Sequence, residues 1–268
     1  MKPKPISYYD DSHYDYKKYW ETRGYENQAE KMVLKKLFHL IRQKDKIIDI
    51  GGGFGRLTPD YAPLFKSCLL IEPSEKLLKE AKKVCQKYKN VTLQKSFVEK
   101  LPVPDESLDV ALMVRVAHHL TDLQAMIKEI KRILKPGGYF ILEFANKIHF
   151  KNRLDALLHL NLDFFINHQS ENLKTKPKTV PFYNYHPNQI KTLLLSNEFK
   201  IIKCLSVSNF RHSWLKKIFP LPLLLFFESC IQIINSKLSI LNYHGPSIFV
   251  LACLAERESR RTRLSEAL

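Results

Sequence analysis

Asp49, Gly51, Gly53 and Gly55 occupy alternate positions in Lys-Ile-Ile-Asp-Ile-Gly-Gly-Gly-Phe-Gly-Arg-Leu-Thr, directly at the end of the apolar run 47–50. Glycine there lets the backbone approach a ligand where side chains would obstruct it, and a strand running into a helix presents free N–H groups at that point. Glu72 closes a second apolar run, 67–71. A carboxylate so placed can accept hydrogen bonds from both ribose hydroxyls of a nucleoside. His118 and His119 follow a further apolar run, and an imidazole has the unperturbed pKa to take a proton from a phenol, hydroxyl or enol. The residues thus offer a nucleoside cradle and a proton acceptor. The plainer readings are a flexible loop, a solvated strand end and a helix-start histidine bonded to backbone.

These groups meet only if the elements between them bring them together. Runs at 47–50, 67–71, 91–94, 109–114 and 139–144 read as strands, and 109–114 is continuously apolar after Asp109, as in a parallel sheet covered on both faces. Between them, Ser74 is a helix N-cap for 74–88, with Leu77, Leu78, Ala81, Val84 and Cys85 at helical spacing. The segment 122–134 carries Leu123, Met126, Ile127, Ile130 and Ile133 inward, and Lys135-Pro136-Gly137-Gly138 is expected to end it in a sharp turn. A helix starting at Asn188, then strands at 200–207 and 247–255, complete the order. Strict alternation predicts an α/β fold: a doubly wound, mostly parallel, seven-stranded Rossmann-like sheet with an antiparallel last strand. Asp49, Glu72, Phe97 and Arg115 then fall at strand carboxyl ends around one crevice.

A dinucleotide fingerprint sets its third glycine three residues after the second, whereas here the glycines alternate. The pattern Asp-x-Gly-x-Gly-x-Gly resembles the first motif of class I S-adenosylmethionine (SAM) methyltransferases. The resemblance extends over 47–145. Glu99-Lys100-Leu101-Pro102-Val103-Pro104-Asp105-Glu106-Ser107-Leu108-Asp109-Val110 is similar to the approach to strand four in the small-molecule branch, which includes ubiquinone and menaquinone methyltransferases. Ile130-Lys131-Arg132-Ile133-Leu134-Lys135-Pro136-Gly137-Gly138 is similar to the following helix and turn. The resemblance implies that Asp49, Gly51, Gly52, Gly53, Gly55, Glu72, Pro73, Phe97, Val98 and Arg115 hold SAM. Phe97 departs from the acid that many members use to accept from the adenine amino group; it is expected to pack on the adenine face, with the Val98 amide reading the edge, or to join the core.

In similar enzymes an N-terminal segment covers the cofactor and helps to form the acceptor pocket. This places Tyr16, Tyr19, Trp20, Arg23 and Tyr25 there and makes 1–45 a helical cap on a methyltransferase domain at 46–256. The resemblance also brings His118 or His119 near the methyl group as the general base. The Asn/Asp-Pro-Pro-aromatic motif of base-amino methyltransferases is absent, Arg115-Val116-Ala117-His118 standing in its place, which argues against nucleic acid.

The net charge of +16 would suit nucleic acid or an anionic membrane, but clusters such as Lys79-Glu80-Ala81-Lys82-Lys83 read more simply as solvated faces. Five scattered cysteines without a CxxC pair fit a reduced, cytoplasmic setting with no structural metal, and the amino terminus shows no secretory signal. An insertion at 211–244 holds the most hydrophobic stretch, Phe219-Pro220-Leu221-Pro222-Leu223-Leu224-Leu225-Phe226-Phe227. Prolines and Glu228 break it below the length of a membrane span. It reads as a buried or dimer-forming helix, or as a peripheral membrane contact through 214–234 that admits a lipid-like acceptor. The charged tail 257–268 is expected to fray. The leading function is methyl transfer from SAM to a small-molecule or lipid-like acceptor. The alternatives are a non-catalytic SAM-binding protein and a nicotinamide-dependent oxidoreductase, the latter disfavoured by the glycine spacing and the lack of a Tyr-x-x-x-Lys pair near the crevice.

Overall fold

Seven strands, β1 (Lys46–Ile50), β2 (Ser67–Ile71), β3 (Val91–Gln94), β4 (Leu108–Met113), β5 (Leu134–Ala145), β8 (Phe199–Val207) and β9 (Ser247–Leu254), form one sheet in the order β3-β2-β1-β4-β5-β9-β8. Two short strands, β6 (Glu171–Leu173) and β7 (Phe182–Asn184), pair separately. The computed structural model describes residues 8–11, 15–173, 181–237 and 243–256. Tyr14, the 257–268 tail and 238–242 of the insertion therefore lie outside the described residues. Within the seven-stranded sheet β9 runs antiparallel to both β5 and β8, and the other pairings are parallel, as the alternation of strand and helix requires.

The helices are α1 (Tyr8–Asp11), α2 (Tyr16–Glu21), α3 (Gly24–Leu40), α4 (Thr58–Tyr61), α5 (Glu75–Cys85), α6 (Leu123–Ile133), α7 (Phe150–Leu158), α8 (Asp163–Ile166), α9 (Pro187–Ser196), α10 (Ser213–Ile218) and α11 (Leu221–Lys237). Period-two alternation in the strands feeds two cores. Ile48, Ala111, Phe140, Leu142 and Val250 pack with Ile127 and Ile130 of α6 and Leu194 of α9. Ile47, Val110, Ile141 and Phe249 face Val33, Leu37 and Phe38 of α3 and Leu224 of α11. The apolar insertion is thus partly a core element. Its Glu228, fully buried, accepts from the Tyr25 hydroxyl (2.6 Å), from the Ser208 and Asn209 N–H groups and from Gln232.

Local chemistry accounts for most helix starts. Ser74 Oγ accepts from Leu77 N–H and Asp122 Oδ1 from Ala125 N–H, the predicted N-cap bond at Ser74 and a second one at Asp122. α9 begins one residue earlier than expected, with His186 Nδ1 rather than an Asn188 side chain capping it. α6 ends at Ile133, just before Lys135-Pro136-Gly137-Gly138, and these four residues fall within the bounds of β5 but leave the ladder between the pairs Leu134–Leu108 and Tyr139–Val110. Gly137 takes φ +79°, so the glycine permits a bulge instead of ending the chain direction.

Candidate active site

The strand order reverses between β1 and β4, and the glycine turn sits at that point, where α/β sheets place their ligands. Gly51 and Gly52 both donate to the Ile71 carbonyl, at 2.9 and 3.0 Å. Gly51 has φ +67°, and a Cβ on it would stand 2.4 Å from Val116 Cγ2, so no other residue fits there without displacing the chain after β4. Gly53 N–H donates to Glu72 Oε2 and Ser74 N–H to Glu72 Oε1, each at 3.0 Å. Each oxygen keeps acceptor capacity beyond that single bond. Burial raises the Glu72 carboxyl to about 7 despite these two N–H groups. Asp49, beneath the turn, is likewise raised to about 7 by burial, with the Tyr61 hydroxyl opposing the shift. Its Oδ2 has no partner among the described residues.

The aromatic residues before the core cluster over this turn, with Tyr16 against Phe54 and Gly53. Tyr16 packs against Phe54, Tyr9 and Trp20 at centroid distances of 5.9, 5.3 and 6.3 Å, and a Cβ on Gly53 would touch its ring at 3.5 Å. Tyr19 stacks on Tyr16, and Arg23 sits 4.0 Å above Tyr19. Tyr25 is turned away altogether, donating to Glu228 and accepting from Phe210 N–H. Tyr16, Tyr19, Trp20, Arg23 and Tyr25, expected around the acceptor, are not among the residues lining the cavity beside β4 and β5. Asp10 of α1 fastens the cover from outside, accepting from Ser74 Oγ (2.7 Å) and from Lys76 N–H (3.1 Å) at the start of α5.

Arg115, expected among the cofactor residues, has protein partners of its own. Its guanidinium is held by Glu30 of α3, with Nε at 2.8 Å and Nη2 at 2.7 Å from Oε1, while Arg56 takes Oε2 at 2.6 Å. Its backbone has φ +61° and donates to Glu143 Oε2 at 2.8 Å. Glu30 is fully buried, yet the two guanidiniums hold its carboxyl below the usual range against the opposing cost of burial. Arg115 therefore joins the cap helix to the crevice and is not free to hold a ligand with its full fork.

A cavity of about 520 Å³ opens beside the ends of β4 and β5. Arg115, His118, Glu143, His149, Phe182 and Arg211 are among its lining residues, with Asn152, Asp155 and Phe164 farther along α7 and α8. His118 is 6% exposed, its ring packed against His119 and Phe182 at 4.1 and 4.4 Å. Burial, reinforced by His119 and Arg115, holds its pKa well below 6.5, so it meets the cavity as a neutral imidazole. His119 does not share that role: its Nδ1 lies 3.0 Å from the Pro181 carbonyl. Sequence reasoning missed Asp10, Glu30, Glu143, His149 and Arg211. Glu143 alone had a visible signal, a carboxylate inside an apolar strand; the others arrive from distant segments.

Residues 48–142 match the family described as methyltransferase domain. An uncharacterised methyltransferase of Schizosaccharomyces pombe is 36% identical over 117 residues, 40% of this chain and 42% of that protein. The demethylmenaquinone methyltransferase of Tropheryma whipplei is 30% identical over 107 residues, 40% and 44% of the two chains. The chain thus spans less than half the length of these relatives. Residues 48–142 form a class I SAM-dependent methyltransferase domain. The solved 1,6-didemethyltoxoflavin-N1-methyltransferase of Burkholderia thailandensis, with bound S-adenosylhomocysteine, shares the fold of this domain and its additions at a TM-score of 0.58 and 14% identity, covering 90% of this chain and 82% of its own. The nicotinamide reading of the glycine turn is set aside. Within the methyltransferase domain the residues fit the cofactor on their own chemistry: a left-handed glycine cradle and a buried acid with unused acceptor capacity stand side by side.

Proposed function

We propose that the protein transfers a methyl group from SAM to a small-molecule or lipid-like acceptor held in the cavity. The observation that carries this reading is the Gly51–Gly53 turn bonded through Gly53 N–H to Glu72 at the switch point of the sheet. Bound SAM supplies a methyl carbon already activated by its sulfonium. Asp49 and the backbone at Gly51, Gly52, Gly53 and Gly55 shape its cradle, Glu72 with Pro73 receives the ribose hydroxyls, and Val98 reads the base edge. Phe97 is half-buried and outside the apolar cores, a position suited to stacking.

The rest of the work is positioning and exclusion of water. Residues 1–45 serve as the cap: Tyr16 and Trp20 close the glycine turn, and Glu30 fixes the cap to Arg56 and Arg115. His118 takes the acceptor proton. Contact of 214–234 with a membrane is part of this reading, because Trp214, Ile218 and Phe226 stay exposed while Leu224, Glu228 and Gln232 turn inward. Among the described residues no helix is long and apolar enough to cross a bilayer.

Thermal unfolding with SAM, S-adenosylhomocysteine and NAD in parallel tests the cofactor, since a ligand of the native state stabilises it by about 2.7 kcal/mol at a hundredfold excess over Kd. Stabilisation by both sulfur nucleosides and not by NAD is expected, and Glu72→Ala should abolish it. A shift with NAD alone would overturn the reading. Incubating metabolite extracts with isotopically labelled SAM separates an enzyme from a non-catalytic SAM-binding protein: no transferred label from any extract favours the latter.

A further inference from the structure

Arg211 lines the cavity without a part in the cofactor cradle or in proton transfer. It leaves β8 by a turn that is fixed from beneath. Ser208 takes φ +61°, and its N–H and that of Asn209 donate to the buried Glu228 carboxylate at 3.1 Å each. Arg211 N–H closes the turn on the Ser208 carbonyl at 3.3 Å. Glu228 is held in turn by Tyr25 of α3 and Gln232 of α11. A serine in the left-handed region is strained and persists only where its surroundings over-determine it, so the backbone that brings Arg211 to the cavity is set in advance of any ligand.

The guanidinium carried by that turn has no counter-charge. Among the described residues no carboxylate lies within ion-pair distance of it, and the neighbouring acids are engaged elsewhere. Glu26 takes Lys216 at 2.8 Å and Arg23 at 3.7 Å, Glu30 takes Arg56 and Arg115, and Glu143 takes the Arg115 N–H and the Ser247 hydroxyl. Burial, followed by Arg115 and Arg23, lowers the Arg211 pKa against the opposing pull of Glu26 and Tyr19. The side chain is open to water through the cavity but crowded by protein and by like charge, so it gains more from an anion than a fully solvated arginine would.

Asp155 and Glu171 also line the cavity and belong to its charge balance. Asp155 lies on α7 about 9 Å along the helix from His149, with its side chain 73% exposed and 3.6 Å from His159. Glu171 is exposed on β6. Neither pairs with Arg211. His149 is the group that feels Arg211: burial, then Arg211 and Lys151, holds its pKa at about 4, which leaves a neutral imidazole with an N–H to donate. An uncompensated guanidinium and a neutral N–H donor in one wall suit carboxylate or phosphate oxygens and do not suit an amine.

We propose that the methyl acceptor is an organic anion whose carboxylate or phosphate pairs with Arg211 beside His149, with the atom to be methylated presented to His118. The anion site stands on the turn and on the uncompensated charge; its assignment to the acceptor rests on the methyl-transfer reading. Because the methyl group goes to a different atom, the product keeps its negative charge.

Metabolite extract is incubated with the full chain and isotopically labelled SAM, and labelled products are detected by mass and classed by retention on an anion exchanger at neutral pH. Label is expected in retained products, in an amount that Arg211→Gln lowers by about tenfold or more. Arg211→Lys should lower it less, because lysine keeps the charge without the fork. Label confined to unretained products overturns the proposal while upholding methyl transfer. So does an Arg211→Gln chain that labels retained products like the wild type. Stabilisation by S-adenosylhomocysteine should be the same in Arg211→Gln and wild type; its loss would give Arg211 to the carboxylate of the cofactor and overturn the proposal. A second measurement needs no turnover: thermal unfolding of the chain loaded with S-adenosylhomocysteine, titrated with benzoate, inorganic phosphate or benzamide. Benzoate or phosphate, and not benzamide, should stabilise the wild type and the surface control Lys79→Gln but not Arg211→Gln. Equal responses of wild type and Arg211→Gln overturn the anion site. A response that depends on Arg211, with no labelled product from any extract, leaves the site standing and refutes methyl transfer and with it the assignment to an acceptor.

Discussion

His118 and His119 are neighbours in sequence and diverge in role because one carbonyl distinguishes them. Pro181 occupies His119 Nδ1, while His118 stays at the cavity wall with its charge suppressed by burial. His118→Phe should lower turnover about a hundredfold, measured with whichever acceptor the labelled extract identifies, and leave stabilisation by S-adenosylhomocysteine intact; unchanged turnover would remove the base from the scheme. Asp49 belongs to the same scale. Its carboxyl ionises near 7 when folded and near 3.9 in an unfolded chain. Between those values the unfolded chain releases a proton that the native state retains, so Asp49 withdraws stability as pH rises through the window and withdraws no more above it. Asp49→Asn should gain on the wild type progressively from about pH 4 to 7 in denaturant titrations. Parallel curves for the two proteins would mean that the buried carboxyl is satisfied by other means.

At the scale of elements, α3 is the part whose function was least visible in advance. Glu30 is one carboxylate in an amphipathic helix and becomes, in the fold, the shared partner of two guanidiniums from the glycine loop and the end of β4. Removing one member of such a buried cluster leaves uncompensated charge. Glu30→Gln should therefore destabilise the protein by roughly 3–5 kcal/mol and loosen the cap over the cofactor turn. Urea unfolding measures the first effect, and a loss below about 1 kcal/mol would show that the arginines are solvated instead. The strands behaved differently. β1, β2, β4 and β9 were legible because a buried strand leaves a largely apolar run; the start of β5 was not, since Leu134 pairs with Leu108 ahead of Lys135–Gly138, which keeps its turn chemistry and leaves the ladder until Tyr139 meets Val110.

For the whole molecule, the cofactor end and the acceptor end come from different parts of the chain. The first half makes the crevice and its cover. The cavity draws on α7, α8, β7 and Arg211, set against the ends of β4 and β5 together with Ser247 at the start of β9. In the described part of the insertion, Leu224 and Glu228 are buried while Trp214, Ile218 and Phe226 stay exposed.

The sequence by itself determined the sheet, its helices and the glycine-acid pair at the switch point, because those depend on local periodicity, turn chemistry and short spacing. Only the tertiary structure decided which histidine lines the cavity, what Arg115 and Tyr25 hold, and where the cavity lies. Those outcomes depend on burial and on partners far away in sequence, such as Glu228 for Tyr25 and Pro181 for His119, and neither burial nor partnership between distant segments is encoded in any one stretch of the chain.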